Sequence, residues 1–219
     1  MKRFARDNRL FLCLCLGVCL VMAGLLLCLD KASLHLALNS YHAAWLDTVI
    51  CFFSHEGIII AVALVMSLCL GRLGTFFLMG GACAINGLLA QVIKHIVGAY
   101  RPEQWFMIHY PEIQLPTASG VQLAHFYSFP SGHTVTFFTL AFAASVMLSP
   151  KYRKWLTPLF FVLAMVGGYS RIYMSMHFAE DVLGGILLAV LGTAGLYFIS
   201  QRWHKTTIWN LRLWDLCKK

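Results

Sequence analysis

Leu10-Phe-Leu-Cys-Leu-Cys-Leu-Gly-Val-Cys-Leu-Val-Met-Ala-Gly-Leu-Leu-Leu-Cys-Leu29 is a run of 20 residues without a charge. At 1.5 Å of rise per residue, a helix of this length is about 30 Å long, the thickness of a bilayer's hydrocarbon core. Lys2, Arg3, Arg6 and Arg9 precede it as the basic head of a secretion signal would. The apolar run is longer than a signal's core, however, and no small-x-small cleavage site follows. It is therefore expected to stay as a membrane anchor.

The rest of the chain repeats this pattern. Further apolar stretches run from about Thr48 to Leu70, Leu73 to Ile93, Thr134 to Ser149, Leu156 to Tyr169 and Val182 to Ser200, and His55 and Glu56 interrupt the first of them. Of 219 residues, 59% are hydrophobic and 12% charged, and the mean hydropathy is +0.72. Soluble domains carry about twice that charge, so too little polar surface remains here to cover a water-soluble globule. Soluble enzymes, disordered tails and secreted disulfide scaffolds are excluded. The expected fold is all-α: a polytopic membrane protein of about six transmembrane helices in a bundle. It forms one membrane-embedded domain over residues 1–219, with a short cytoplasmic N-terminus (1–9) and an interfacial C-terminal tail (201–219). Seven of the eight cysteines lie inside apolar runs and show neither pairing nor metal-ligand spacing, so they read as small buried hydrophobes.

Charge sets the expected orientation. With six spans and the N-terminus in the cytoplasm, 13 of the 17 Lys and Arg residues fall inside, and Lys31, Lys94, Arg101 and Arg171 fall outside. This asymmetry follows the positive-inside rule. The net charge of +8 is thereby explained by topology, and no nucleic-acid partner is implied. The tail mixes Trp203, Trp209 and Trp214 with Arg202, Lys205, Arg212, Lys218 and Lys219, as segments lying on an anionic leaflet do. Asp30 to Asp47 reads as a surface helix on the outer side.

Most of the reactive side chains lie in three segments on that outer side. The first is Lys94-His-Ile-Val-Gly-Ala-Tyr-Arg101-Pro102. If the helix continued, its two cations would share a face about 10 Å apart. The second is Pro130-Ser131-Gly132-His133, at the start of a span, where free N–H groups make a ready anion site. The third is Ser170-Arg171-Ile-Tyr-Met-Ser-Met-His177-Phe-Ala-Glu-Asp181. On a helix, His177 and Asp181 would stack on one face. The carboxylate would then accept the Nδ1 proton and leave Nε2 as a nucleophile or base. Each segment alone has an ordinary reading: interface cations, a capped helix, a neutralised polar pair. Together they supply three cations, an anion nest, two histidines and an orienting carboxylate, a set suited to a phosphoryl group.

The pattern Lys-x6-Arg-Pro, Pro-Ser-Gly-His, Ser-Arg-x5-His-x3-Asp resembles the signature of the type 2 phosphatidic acid phosphatase superfamily and matches it without a departure across residues 94–181. The resemblance implies hydrolysis of lipid phosphates with no metal or other cofactor. In that scheme Lys94, Arg101, Ser131, Gly132, Ser170 and Arg171 hold the phosphate. His177 forms a phosphohistidine, Asp181 orients and charge-balances it, and His133 is the general acid. The expected substrates are envelope lipids, lipid A phosphate or undecaprenyl diphosphate, with the site on the periplasmic face of a bacterial inner membrane and no obligate protein partner. Phosphatidylglycerophosphate, phosphatidic acid and lipid phosphotransfer stay open, as does a non-enzymatic lipid or anion translocator. The remaining outer histidines (His35, His42, His95, His109 and His125) are expected to be interfacial polar residues. Glu56 is expected to pair with a site cation or a neighbouring span, and the aromatic-rich loop 103–129 to act as a lid or headgroup reader.

Overall fold

The computed structural model describes residues 2–118, 122–202, 206–212 and 214. Trp203, Lys205, Cys217, Lys218 and Lys219 of the tail lie outside the described residues, and so does the middle of the loop (119–121). The described elements are all helical: α1 (Lys2–Asp7), α2 (Arg9–Cys28), α3 (Lys31–Leu38), α4 (Ala44–Phe53), α5 (Glu56–Leu70), α6 (Leu73–Val97), α7 (Pro102–His109), α8 (Gly132–Met147), α9 (Pro150–Tyr173), α10 (Ala179–Ser200) and α11 (Thr207–Asn210).

Four helices, α2, α6, α9 and α10, are long and apolar enough to cross a bilayer, and the bent pair α4–α5 makes five if taken as one span. The expected count of about six is thus met only in part. The sixth stretch forms α8, whose 16 residues give about 24 Å of helix. This helix is the packing centre, lying against α6, α9 and α10 with Phe138 and Phe142 fully buried. Being enclosed by other helices rather than lipid, it need not match the bilayer. The opposite extreme is α2, which turns Leu16, Leu20, Val21 and Leu27 outward, as a lipid-facing helix should. The seven described cysteines are unpaired.

Close approach depends on glycine at two positions. A Cβ on Gly167 of α9 would sit 2.4 Å from the Phe137 ring. One on Gly185 of α10 would come within 3.0 Å of the Ser131 carbonyl and 2.9 Å of Thr134. Those absent side chains let α9 and α10 close on the N-terminus of α8, where the second motif lies.

Several expected continuities are broken. The Thr48–Leu70 stretch stops at Phe53 and resumes at Glu56 with a bend of 58°. The expected surface helix from Asp30 to Asp47 is confined to α3, N-capped by Asp30, and its far end already belongs to α4. His35 is buried between Phe106 and Phe178, not interfacial, and burial pushes its imidazole down to about 4. Lys31 bonds Glu180 at 2.6 Å and lies over the Phe178 ring, which pins α3 onto the start of α10. The described part of the 103–129 loop is likewise fastened down. Phe106 of α7 is buried, and the Pro116 carbonyl accepts bonds from Asn39 and Ser175.

The three motifs gather at one end of the bundle, where α6 and α9 finish and α8 and α10 begin. At the other end lie Arg72 and the α8–α9 turn, whose Arg153 donates to the Asp7 carbonyl. Trp214 reaches the Cys69 carbonyl there as well. The basic turns therefore sit opposite the motif end.

Candidate active site

Lys94 occupies the last turn of α6 and is buried. The helix does not continue to Arg101 as the spacing suggested. Gly98 takes a left-handed conformation (φ 60°), and its N–H caps the Lys94 carbonyl, a C-terminal stop that glycine adopts without a Cβ penalty. Arg101 returns by a turn instead of sharing a helical face. The segment 125–128 then runs alongside, with Arg101 N–H bonding the His125 carbonyl and Ser128 N–H bonding Ala99. Lys94 Nζ donates to the Tyr127 carbonyl at 2.6 Å, Arg101 Nε to Phe126 at 2.9 Å, and Arg101 Nη1 to Met176 at 3.2 Å. Backbone carbonyls thus aim both cations.

Ser131 is the N-cap of α8, its Oγ accepting from the Thr134 N–H at 3.4 Å and the Thr134 hydroxyl at 2.9 Å. Ser131 N–H in turn donates to the Asp181 carbonyl at 2.9 Å, tying the second motif to the third. Gly132 opens the helix, and a Cβ there would approach only Lys94, at 3.9 Å, so the α8 N-terminus faces the lysine.

Ser170 donates to the Gly167 carbonyl at 2.7 Å and accepts from Arg171 Nε at 3.0 Å, so it steers the arginine. Arg171 Nη2 also reaches Ser54 Oγ at 2.8 Å. Beyond α9 the chain turns sharply. Ser175 adopts φ 51°, an uncommon conformation for a non-glycine residue. Buried bonds to Asn39 and Pro116 hold it there. The turn presents His177, whose N–H bonds the Arg171 carbonyl.

His177 is not on a helix. It precedes the N-cap of α10, and Asp181 lies in that helix's first turn. The four-residue spacing brings the pair together through a capping turn instead of a shared helical face. Asp181 Oδ2 accepts from the N-cap N–H of Phe178 at 2.8 Å and lies 3.4 Å from His177 Nδ1. Because Nδ1 faces the carboxylate, Nε2 is the ring nitrogen not engaged with it. Both side chains are almost wholly buried. Burial holds the His177 imidazole well below its ordinary range, against the pull of Asp181, so it is neutral near pH 7.

His133 sits one residue into α8, its Nε2 donating to the Ser54 carbonyl at 3.2 Å, and its Nδ1 lies 3.4 Å from Glu56 Oε2. All nine motif residues therefore belong to one constellation. Two contributions were not legible in the motifs. Ser128 donates to Asp181 Oδ2 at 2.6 Å and lies 3.4 Å from His177 Nδ1; its nearness to Pro130-Ser131-Gly132-His133 was the available hint. Ser54 bonds both Arg171 and His133 from the α4–α5 break, with only the adjacent charges to mark it.

Both the fold and the sequence have known relatives. The solved structure of Aquifex aeolicus LpxE superposes with a TM-score of 0.64 at 22% identity, over 77% of this chain and 94% of that one. Undecaprenyl-diphosphatase BcrC of Bacillus subtilis strain 168 is 30% identical over 157 residues, 69% of this chain and 74% of that relative. Lipid A 4'-phosphatase of Porphyromonas gingivalis is 31% identical over 104 residues, 41% of this chain and 43% of that relative. The chain spans about 42% of the length of a further relative from Escherichia coli K12, at 34% identity. The PAP2 superfamily profile matches residues 75–205, which hold all three motifs, and the chain belongs to the PAP2 superfamily.

Proposed function

We propose that this protein is a lipid phosphate phosphatase that works through a phosphohistidine. The carrying observation is the buried His177, its Nδ1 3.4 Å from Asp181 Oδ2, amid Lys94, Arg101 and Arg171. Lys94, Arg101, Arg171 and the α8 N-terminus bind the phosphate oxygens. His177 Nε2 attacks phosphorus, the P–N bond forms as the bond to the lipid oxygen breaks, and His133 gives that oxygen its proton. Asp181 balances the charge that His177 gains. His133, now neutral, takes a proton from water as that water attacks phosphorus and the P–N bond breaks, its electron pair returning to His177 Nε2. This releases inorganic phosphate and restores both histidines, so no external redox partner is consumed. Lys94, Arg101 and Arg171 exceed what orientation alone requires, and their charge is best used where charge builds up on phosphorus-bound oxygens.

The preferred substrate is undecaprenyl diphosphate, favoured by the match to the B. subtilis diphosphatase over 69% of this chain. Lipid A phosphate is the second reading, carried by the shorter match to the P. gingivalis enzyme. The gathering of Arg72, Lys151, Arg153 and Lys154 opposite the site supports a multi-pass inner-membrane protein with its site toward the periplasm. Exposed Tyr100, Phe126 and Tyr127 beside the cations suit an entrance at the membrane interface. The test is phosphate release by purified protein on undecaprenyl diphosphate, lipid A, phosphatidylglycerophosphate and phosphatidate. Turnover of the first at least tenfold above the others supports the preferred reading. Release from none of them overturns the enzymatic one.

A further inference from the structure

The α4–α5 break brings a carboxylate to the second histidine. An ionisable residue in an apolar span is costly unless it has a partner, and here the helix interrupts itself so that Glu56 opens α5 beside the site. Glu56 Oε2 lies 3.4 Å from His133 Nδ1, while His133 Nε2 donates to the Ser54 carbonyl at 3.2 Å. Both ring nitrogens therefore face oxygens, a carbonyl that can only accept and a carboxyl that can only accept when it is ionised. A neutral imidazole has one N–H and serves one of them; the imidazolium serves both.

We propose that Glu56 is a positioning residue that acts through His133, fixing its ring and keeping it protonated until the leaving oxygen takes the Nε2 proton. The proposal rests on the reading of His133 as general acid. The surrounding charges give Glu56 its leverage. Arg171, Arg101 and His177 face His133 from α9 and from the turns before α7 and α10. Arg171 and Lys94 face Glu56. His55, exposed and bonded to the Cys51 carbonyl, stands apart. Among the described residues Glu56 is the carboxylate within ion-pair reach of His133, as Asp181 is of His177.

The test compares two phosphate monoesters, dioctanoyl phosphatidate, which expels an alkoxide, and 4-nitrophenyl phosphate, whose phenolate needs little protonation. Glu56→Gln keeps the shape and removes the charge. It should lower kcat on phosphatidate about 10- to 100-fold, part of the 10²–10⁴ typical of general acid catalysis, and by less than fivefold on the aryl ester, with KM within twofold. The alkaline limb of its kcat profile should move to lower pH, because His133 loses its proton more readily without the carboxylate. Glu56→Asp should recover part of the rate and move that limb back. Glu56→Gln combined with His133→Ala should be no worse than His133→Ala alone. Equal losses on both esters, an unmoved alkaline limb or additive losses in the double variant would overturn the proposal and make Glu56 scaffold. If His133→Ala shows the leaving-group contrast and Glu56→Gln does not, only the role of Glu56 falls. If His133→Ala lacks the contrast, the assignment of the acid falls first.

Discussion

Ser128→Ala isolates one hydrogen bond to the carboxylate that serves the nucleophile. The Ser128 backbone is held independently, its N–H bonding Ala99 and its carbonyl accepting from Lys94, so deleting the hydroxyl leaves the chain in place. Asp181 Oδ2 would keep the Phe178 N–H at 2.8 Å and His177 at 3.4 Å and lose the shortest of its contacts, Ser128 Oγ at 2.6 Å. A hydrogen bond to a charged group contributes about 1.5–3 kcal/mol, and each 1.36 kcal/mol is tenfold in rate. If that bond holds Asp181 for the charge His177 gains in the transition state, kcat should fall about 10- to 150-fold. The loss should be equal on an alkyl and an aryl monoester, because the nucleophile and not the leaving group is disturbed. Asp181→Asn should cost more, and the double variant should cost less than the product of the two. Phosphate release in detergent micelles, with a thermal melt on the same samples, reads both quantities. A loss below twofold, a dependence on leaving group, or a rate loss that vanishes at a temperature where both proteins are fully folded would refute the reasoning.

Other outcomes follow from the same geometry. His133→Ala should be severely impaired on an alkyl monoester and much less on an aryl one, whereas His177→Ala should fail on both alike; kcat measured on the two esters decides. Because burial depresses His177, its neutral form persists below pH 6.5, and the acid limb of kcat/KM should lie well under that value. The same depression makes the fold lose stability as pH falls from about 6.5, since the unfolded chain then binds the proton the native state refuses; a melting series across pH checks the sign. Activity should survive EDTA, and loss restored by a specific divalent ion would contradict the histidine mechanism. Reporter fusions after Arg72 and Lys154 should report cytoplasm and a fusion at Glu112 the far side, while a cytoplasmic signal at Glu112 would place the site on the wrong leaflet for envelope substrates.

Composition and local spacing determined a good deal. Twenty uncharged residues from Leu10 to Leu29 can only be a helix of bilayer length or something buried like one, and a chain with 12% charge has nowhere to put its apolar surface but lipid. The nine motif residues were legible because the contacts within each motif are local: Ser131 caps its own helix, Ser170 steers the next residue, and His177 meets Asp181 within one turn. What sequence could not settle was how those turns are made. A separation of seven positions from Lys94 to Arg101 suggested one helical face, and one of four from His177 to Asp181 another. A left-handed Gly98 and a capping turn at Phe178 did the work instead, because each cap satisfies backbone groups that a longer helix would have to desolvate. Only the tertiary structure brought in Ser128, Ser54 and Glu56. Their partners lie 53, 117 and 77 positions away, and no periodicity spans such distances. The break at Ser54 illustrates the physical reason. A span carrying a carboxylate is unfavourable in isolation and becomes favourable only where a neighbouring helix, closing on α9 and α10 over small residues, offers that carboxylate a histidine.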